Sequence, residues 1–108
     1  MSELSLPVGI PRVYRGGSSL TFQPHEVKLD RKTGLLKTTH GVSVDAVPEH
    51  IARFGGAYVV RGIPEGLTII QRGRRLSHYE IFPAFPMTPD QYQSLLDQVE
   101  LEPFQREE

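Results

Sequence analysis

The chain has 108 residues, enough for one domain with one modest hydrophobic core. Its net charge of −1 argues against a large nucleic-acid-binding surface, and the absence of cysteine excludes disulfides and thiolate metal sites. The sequence has no apolar run of the roughly 18 residues that span a bilayer and no signal-peptide pattern, so we expect a cytoplasmic protein with no membrane partner.

The first half of the chain predicts short extended segments separated by turns. Residues 10–15 read as a strand that ends at a glycine–serine loop. Weaker extended segments follow at 27–30 and 35–37, around a turn, and a brief strand ends the polar stretch 38–45.

The middle of the chain predicts a short helix and three strands. Pro48 suits the first turn of a helix whose buried side holds Ile51 and Phe54, and Gly55 and Gly56 would end it. The runs of β-branched and aromatic residues that follow predict strands over residues 57–61, 67–71 and 77–82.

The last helix has the clearest start. Thr88 is its predicted N-cap, Pro89 takes the first helical position, Gln91 completes a capping box, and Met87 can pack onto Tyr92. One apolar face then recurs at i, i+3, i+4 and i+7: Tyr92, Leu95, Leu96 and Val99. Phe104 could dock beyond this helix.

Together these elements predict one compact α+β domain over residues 1–108, with frayed ends at about 1–8 and 103–108. Its strands pair antiparallel, and short helices cover one face or one end of the sheet.

The strand at 77–82 carries the first candidate functional residues. Period-two alternation places His78, Glu80 and Phe82 on one face and Tyr79 and Ile81 on the other. A His–Glu pair on one face could orient a ligand's hydroxyl groups or transfer a proton. The alternative is a structural or partly exposed histidine in a polar rim above Phe82, which we weight about two to one over a functional role.

Two further candidates come earlier in the chain. Arg15 precedes a glycine–serine loop, where a guanidinium could bind phosphate, although Arg15 alone favours a surface arginine at a strand end. Ser43, with Thr38 and Thr39, belongs to a hydroxyl-rich stretch, and such residues commonly make only local backbone hydrogen bonds in turns.

Other chemistries lack a signal. The spacing of the histidines does not fit a zinc site, so no metal is predicted: His25, His40, His50 and His78. The arginines of the turn between the last two predicted strands could touch a phosphate backbone or an acidic partner, but a solvated hairpin tip is the more common arrangement: Arg72, Arg74 and Arg75. Nucleic acid is therefore not an expected partner.

Three segments, taken together, resemble a known family. They are Val-Tyr-Arg-Gly-Gly at 13–17, Gly-Val-Ser-Val at 41–44, and Gly-Leu-Thr-Ile at 66–69 followed by His-Tyr-Glu-Ile-Phe-Pro-Ala-Phe-Pro-Met at 78–87. In this order they resemble the small family of toxin effectors delivered by type VI secretion that share the fold of ADP-ribosyltransferases. The resemblance covers about residues 13–99, and the last segment is its specific part.

The resemblance implies a pair of small antiparallel sheets with two or three short helices, and NAD bound between the sheets as the substrate. It implies that Arg15 binds an anionic group, that Ser43 lies beside the nicotinamide ribose, and that His78 lies in the same cleft. Thr39 would line the NAD site, and Tyr79 would stack on a ring of NAD or, as its strand parity favours, pack in the core.

The resemblance also suggests the activity. The catalytic candidates are His78 and Ser43. Many ADP-ribosyltransferases use a glutamate to stabilise an oxocarbenium-like transition state, which makes Glu80 a secondary catalytic candidate, ahead of Glu65 and Glu100. The implied enzyme transfers ADP-ribose or hydrolyses NAD, is delivered into the cytoplasm of a target cell, and is neutralised by a cognate antitoxin or immunity protein. The alternative is a non-catalytic binding module on the same fold.

Overall fold

A computed structural model describes residues 4–51 and 56–104. The elements are β1 (Tyr14–Gly16), β2 (Val42–Asp45), β3 (Ala57–Gly62), β4 (Leu67–Gln71), β5 (His78–Pro83), α1 (Pro89–Leu96) and β6 (Glu100–Pro103), with single 3₁₀ turns at Pro24–Glu26 and Pro48–His50. The strands form one antiparallel sheet in the order β4-β5-β2-β1-β3-β6. The prediction of a compact α+β domain with antiparallel strands is confirmed.

The sheet has two faces of different character. The core face packs against α1, whose Tyr92 and Leu96 are buried among strand residues such as Val44, Ile69 and Ile81. Burying each such side chain contributes about 1.5–3 kcal/mol before conformational entropy is subtracted. We call the opposite side the outer face. It carries the charged or titratable strand residues Asp45, His78 and Glu80.

The expected pair of small sheets is instead one sheet made of two three-stranded halves. The halves, β4-β5-β2 and β1-β3-β6, are joined in the β1–β2 ladder only at Tyr14 and Asp45. The link from Gly62 to Leu67 can reach at most about 18 Å, and it contains a turn in which the Leu67 N–H donates to Pro64 O. Four strand spacings in a flat sheet would need about 19 Å. The sheet must therefore curl.

Helix α1 begins as predicted. The Thr88 hydroxyl accepts a hydrogen bond from the Gln91 N–H at 3.1 Å, and Pro89 occupies the first helical position. The predicted capping box is only half formed among the described residues, because the Gln91 side chain makes no hydrogen bond back to the Thr88 N–H. The helix ends at Leu96, so Val99 lies beyond it, although it is buried in the same core. No helix in the described part of the chain is long and apolar enough to cross a membrane.

The predicted helix from Pro48 appears only as the 3₁₀ turn Pro48–His50, since Ile51 already leaves helical geometry with φ −124°. Ile51 packs against the outer-face cluster of Tyr14, Ala57 and Val59. The sequence predicts that this helix continues through Phe54 and ends at Gly55, but both residues lie outside the described ones. The domain thus has one α-helix among its described residues, where two or three short helices were expected.

The two ends of the described chain are paired to the sheet. Ser5 forms an isolated bridge with Ile63, and Pro103 pairs with Tyr58 in the unpredicted strand β6. Phe104 docks edge-on against Tyr14, with ring centroids 4.9 Å apart. The first strand is shorter than predicted and shifted toward the glycine loop, since β1 covers only residues 14–16.

Candidate functional site

Three of the predicted site residues lie together on the outer face. His78 and Glu80 share one side of β5, and His78 Nε2 lies 3.3 Å from Glu80 Oε2. Ser43 is the cross-strand partner of Glu80 on β2, so its side chain points to the same face. We call Ser43, His78, Glu80 and the neighbouring Arg72 the polar patch.

The carboxylate of Glu80 is held from three directions. Its Oε1 accepts a hydrogen bond from the Gly41 N–H at 3.2 Å and lies 3.6 Å from Arg72 Nε, while Oε2 faces His78. Only 14% of the Glu80 side chain is exposed. The separation from Arg72 is too long for a hydrogen bond, so Arg72 acts on Glu80 through its charge. These contacts fix the position of the carboxylate.

Arg72 is itself positioned by an aromatic ring. Its guanidinium carbon lies 5.0 Å from the centroid of Phe82, within range of a cation–π contact. The sequence favoured a solvated tip for Arg72, Arg74 and Arg75. In the structure Arg72 instead reaches back to Glu80 and Arg75 to Asp45, while Arg74 is exposed.

A second charged group, which sequence reasoning missed, adjoins the patch. Asp45 is the cross-strand partner of His78, and its side chain is only 2% exposed. Its Oδ1 accepts a hydrogen bond from the Val47 N–H at 2.8 Å and lies 3.0 Å from His50 Nδ1, and Oδ2 lies 2.9 Å from Arg75 Nη2. A carboxylate at the end of a predicted strand was the only available signal.

The environment keeps Asp45 ionised. Burial by itself raises the pKa of Asp45, but the Val47 N–H and then the neighbouring His50 and Ser77 side chains outweigh burial, so the pKa lies below its ordinary value. The carboxylate therefore serves as a fixed negative charge beside the polar patch, and it ties the turn at Pro48–His50 to the tip of the β4–β5 hairpin.

Arg15 lies near Ser43 but on the other face of the sheet. Tyr14 pairs with Asp45, so alternation places the Arg15 side chain on the core face, opposite to the Ser43 and Asp45 side chains. Arg15 Nη1 donates to the backbone oxygen of Ser43 at 2.8 Å and lies 3.3 Å from Glu26 Oε2. The anionic group next to Arg15 is thus Glu26, a residue that no local pattern in the sequence singled out.

The remaining candidates are not brought to the patch. Thr39 is exposed on the loop before β2, with its hydroxyl 2.8 Å from His40 Nδ1. Tyr79 is half-buried against the core, on the side that strand parity favoured. Glu65 and Glu100 are exposed, the former in the turn before β4 and the latter at the start of β6.

Two surface grooves in the described part of the chain lie away from the polar patch. A groove of about 580 Å³ runs between residues 4–7 and the turn before β4, and another of about 460 Å³ lies beside β6. Neither is lined by a residue of the polar patch. Within the described residues, no group of three or more histidine, aspartate or glutamate side chains could hold a metal ion.

Comparison of the chain with protein-family models, with curated proteins and with solved structures found no match. A fixed carboxylate, a histidine and a serine hydroxyl on one face can bind a hydroxyl-rich ligand and stabilise positive charge that develops on it.

Proposed function

We propose that the protein is a toxin-like enzyme that uses NAD as its substrate, on a fold related to that of ADP-ribosyltransferases. The observation that carries the proposal is the position of Glu80, a fixed carboxylate 3.3 Å from His78 and directly across the ladder from Ser43. The order of the segments at 13–17, 41–44 and 78–87 supports the same assignment through its resemblance to the toxin effectors.

In the proposed reaction the bond between the ribose C1′ and the nicotinamide nitrogen breaks, and its electron pair leaves with nicotinamide. Glu80 stabilises the positive charge that develops at C1′, because a preorganised carboxylate costs no reorganisation at that moment. His78 and Ser43 orient the ribose through its hydroxyl groups. A water molecule, or a nucleophilic group of a macromolecule, then bonds to C1′ and releases its proton to solvent.

The proposal extends to the setting of the enzyme. A chain that consumes NAD in the cytoplasm would damage the cell that makes it, so it needs a cognate antidote, an immunity protein. Delivery by type VI secretion into the cytoplasm of a target cell follows from the same resemblance. Growth of a bacterial host expressing the chain should be impaired, and His78→Ala should relieve the impairment.

The direct test is release of nicotinamide from NAD by the purified chain. Glu80→Gln keeps an acceptor for the Gly41 N–H but removes the charge, so the rate should fall about 10²–10³-fold. The matched control is Glu102→Gln, since Glu102 is an exposed carboxylate 2.7 Å from Arg61 on the far edge strand. The control should keep full activity. Absence of nicotinamide release by the folded wild-type chain at millimolar NAD would contradict the proposal.

A second candidate function is a non-catalytic binding module. One observation favours it: the charged groups around the patch already have partners within the chain, since Glu80 faces Arg72 and His78 while Asp45 faces His50 and Arg75. Calorimetry with NAD separates the two candidates. Heat of binding with no turnover supports the module, and turnover that depends on Glu80 supports the enzyme.

A further inference from the structure

The two edges of the sheet differ in how well they are protected. Strand β6 carries Glu100, Glu102 and Pro103, and its pairing with β3 has an irregularity; these features discourage the addition of another strand. Strand β4 reads Leu-Thr-Ile-Ile-Gln, with no charge and no proline, and it pairs with β5 in unbroken register. Such an edge is a template for strand pairing.

The hydrogen bonds at the two ends of β4 identify the backbone groups on its free edge. The Arg72 N–H donates to His78 O, and the Ala84 N–H donates to Gly66 O. Hydrogen-bonded pairs alternate along an antiparallel ladder, so the even-numbered residues of β4 bond to β5 and the odd-numbered ones point outward. The outward groups are those of Ile69 and Gln71 and the carbonyl of Leu67, whose N–H already donates to Pro64 O.

We propose that two copies of the chain dimerise by pairing their β4 strands antiparallel, about a two-fold axis at Ile69. The outward groups require hydrogen-bonded pairs between odd-numbered residues, and a two-fold axis at Ile69 satisfies this requirement. Ile69 then faces Ile69 of the second copy, and the Gln71 N–H of each copy donates to Leu67 O of the other. The two sheets become one. This proposal does not depend on the proposed function.

Charges at the two ends of β4 complement each other in this register. It brings the turn that holds Glu65 of each copy beside the turn of the other copy that holds Gly73 and Arg74. Glu65 and Arg74 are exposed, and neither has an ion-pair partner within the part of the chain that the structure describes. The two-fold axis forms this contact twice.

The outer side of the junction also has apolar surface to bury. Ile70 is 40% exposed, although it lies in the middle of a strand. In the proposed register it lies opposite Thr68 of the second copy, a β-branched neighbour of the kind that stabilises cross-strand pairs. The backbone groups, the charges and the side chains at the β4 edge are therefore all complementary to a second copy of the same strand.

The first test is sedimentation velocity over a range of concentrations. The wild type should dimerise, and Glu65→Arg or Arg74→Glu should each raise the dimer dissociation constant about three- to thirtyfold, as expected for two exposed ion pairs. The double variant Glu65→Arg/Arg74→Glu should recover wild-type affinity. Glu100→Arg, a matched charge change on β6, should have no effect.

A monomeric wild type at all concentrations would overturn the proposal. So would a double variant that stays as weak as the single ones, or a Glu100→Arg variant that weakens the dimer equally. Continued growth beyond the dimer would indicate β4 pairing with β6 of another copy, an open arrangement that also overturns the two-fold dimer.

The second test is amide hydrogen exchange at low and high protein concentration. The N–H groups of Ile69 and Gln71 point outward, so their protection should rise as the dimer forms. The N–H groups of Thr68 and Ile70 bond to β5 and should stay protected throughout, which also reports that the charge variants remain folded. A dimer in which Ile69 and Gln71 gain no protection uses another interface.

Discussion

The guanidinium of Arg15 donates to the backbone carbonyl of Ser43 at 2.8 Å, at the point where β1 and β2 separate. The next ladder pair would join Gly16 to Ser43, but the Ser43 N–H instead donates to Glu26 Oε2 at 3.0 Å. Both backbone groups of Ser43 that would continue the ladder are therefore satisfied by one ion pair. Arg15 and Glu26 take the place of a neighbouring strand, while the Ser43 side chain points to the opposite face.

Removing the charge of Glu26 should destabilise the fold. Glu26→Gln leaves the guanidinium of Arg15, which is 17% exposed, without a counter-ion and weakens the bond to the Ser43 N–H. We expect a loss of about 2–4 kcal/mol, at or below the range for a broken buried ion pair because Arg15 keeps some solvent contact. Urea denaturation measures this loss. Arg61→Gln, which breaks the exposed pair with Glu102, should change the unfolding midpoint little, and equal midpoints for both variants would contradict the role of Glu26.

The hydroxyl of Tyr92 should contribute to the stability of the fold in addition to the packing of its ring. It accepts a hydrogen bond from the Val42 N–H at 3.1 Å and donates to Ile81 O at 2.6 Å. Val42 and Ile81 are cross-strand partners, so the hydroxyl is inserted into the β2–β5 ladder. Burial raises the pKa of Tyr92, which keeps the donated proton in place at alkaline pH.

Tyr92→Phe would leave a buried N–H and a buried carbonyl without partners, at a cost of about 2–4 kcal/mol in the free energy of unfolding. The control is Tyr58→Phe, because the Tyr58 hydroxyl makes no hydrogen bond within the described residues and should be replaceable at little cost. A Tyr92→Phe variant as stable as the control would contradict this role and would indicate that the Val42 N–H bonds directly to Ile81 O in the variant.

Stability should depend on pH through Asp45. Its pKa in the folded state is below its ordinary value, and the unfolded value is about 3.9. The ionised carboxylate therefore stabilises the fold fully above the unfolded pKa, and this contribution is lost as the pH falls through the folded pKa. Asp45→Asn should be less stable than the wild type at pH 7, and the difference should narrow below about pH 4.

Urea denaturation of the Asp45→Asn and wild-type chains at several pH values from 7 to 3 measures this difference. Asp90→Asn, the same change at an exposed position in the first turn of α1, provides the matched control. A gap between wild type and Asp45→Asn that stays constant over the whole range would mean that the ionisation of Asp45 does not support the fold.

The elements that the sequence predicts correctly are those whose conformation is set by residues close together in the chain. The strand over 67–71 has the predicted bounds because a run of β-branched residues lies between turns, and α1 starts at its predicted cap because Thr88 and Pro89 act within one turn. Strand β6 was missed, because Glu100 to Pro103 has a poor strand composition and is held by pairing with β3. Tertiary contact overrides propensity there.

The candidate site divides in the same way. Alternation on one strand was enough to place His78 and Glu80 on one face and Tyr79 toward the core. The contact of Arg15 with Glu26 could not be predicted, because the two residues are joined through a bend of the chain that has no periodic signal. The Arg15 side chain lies on the core face because β1 pairs with β2 and β3 in a particular register. A single sequence does not specify that register.

The single ladder pair between Tyr14 and Asp45 has a mechanical consequence. Ser43, Arg72, His78 and Glu80 belong to β2 and β5 and the hairpin that follows β4, so all four move with one half of the sheet. Any flexing of the curled sheet at this junction, which the Arg15–Ser43 hydrogen bond also spans, would leave the distances within the polar patch constant. A ligand held only by this half would not resist such flexing. A ligand that also touched the β1-β3-β6 half would stiffen the whole domain.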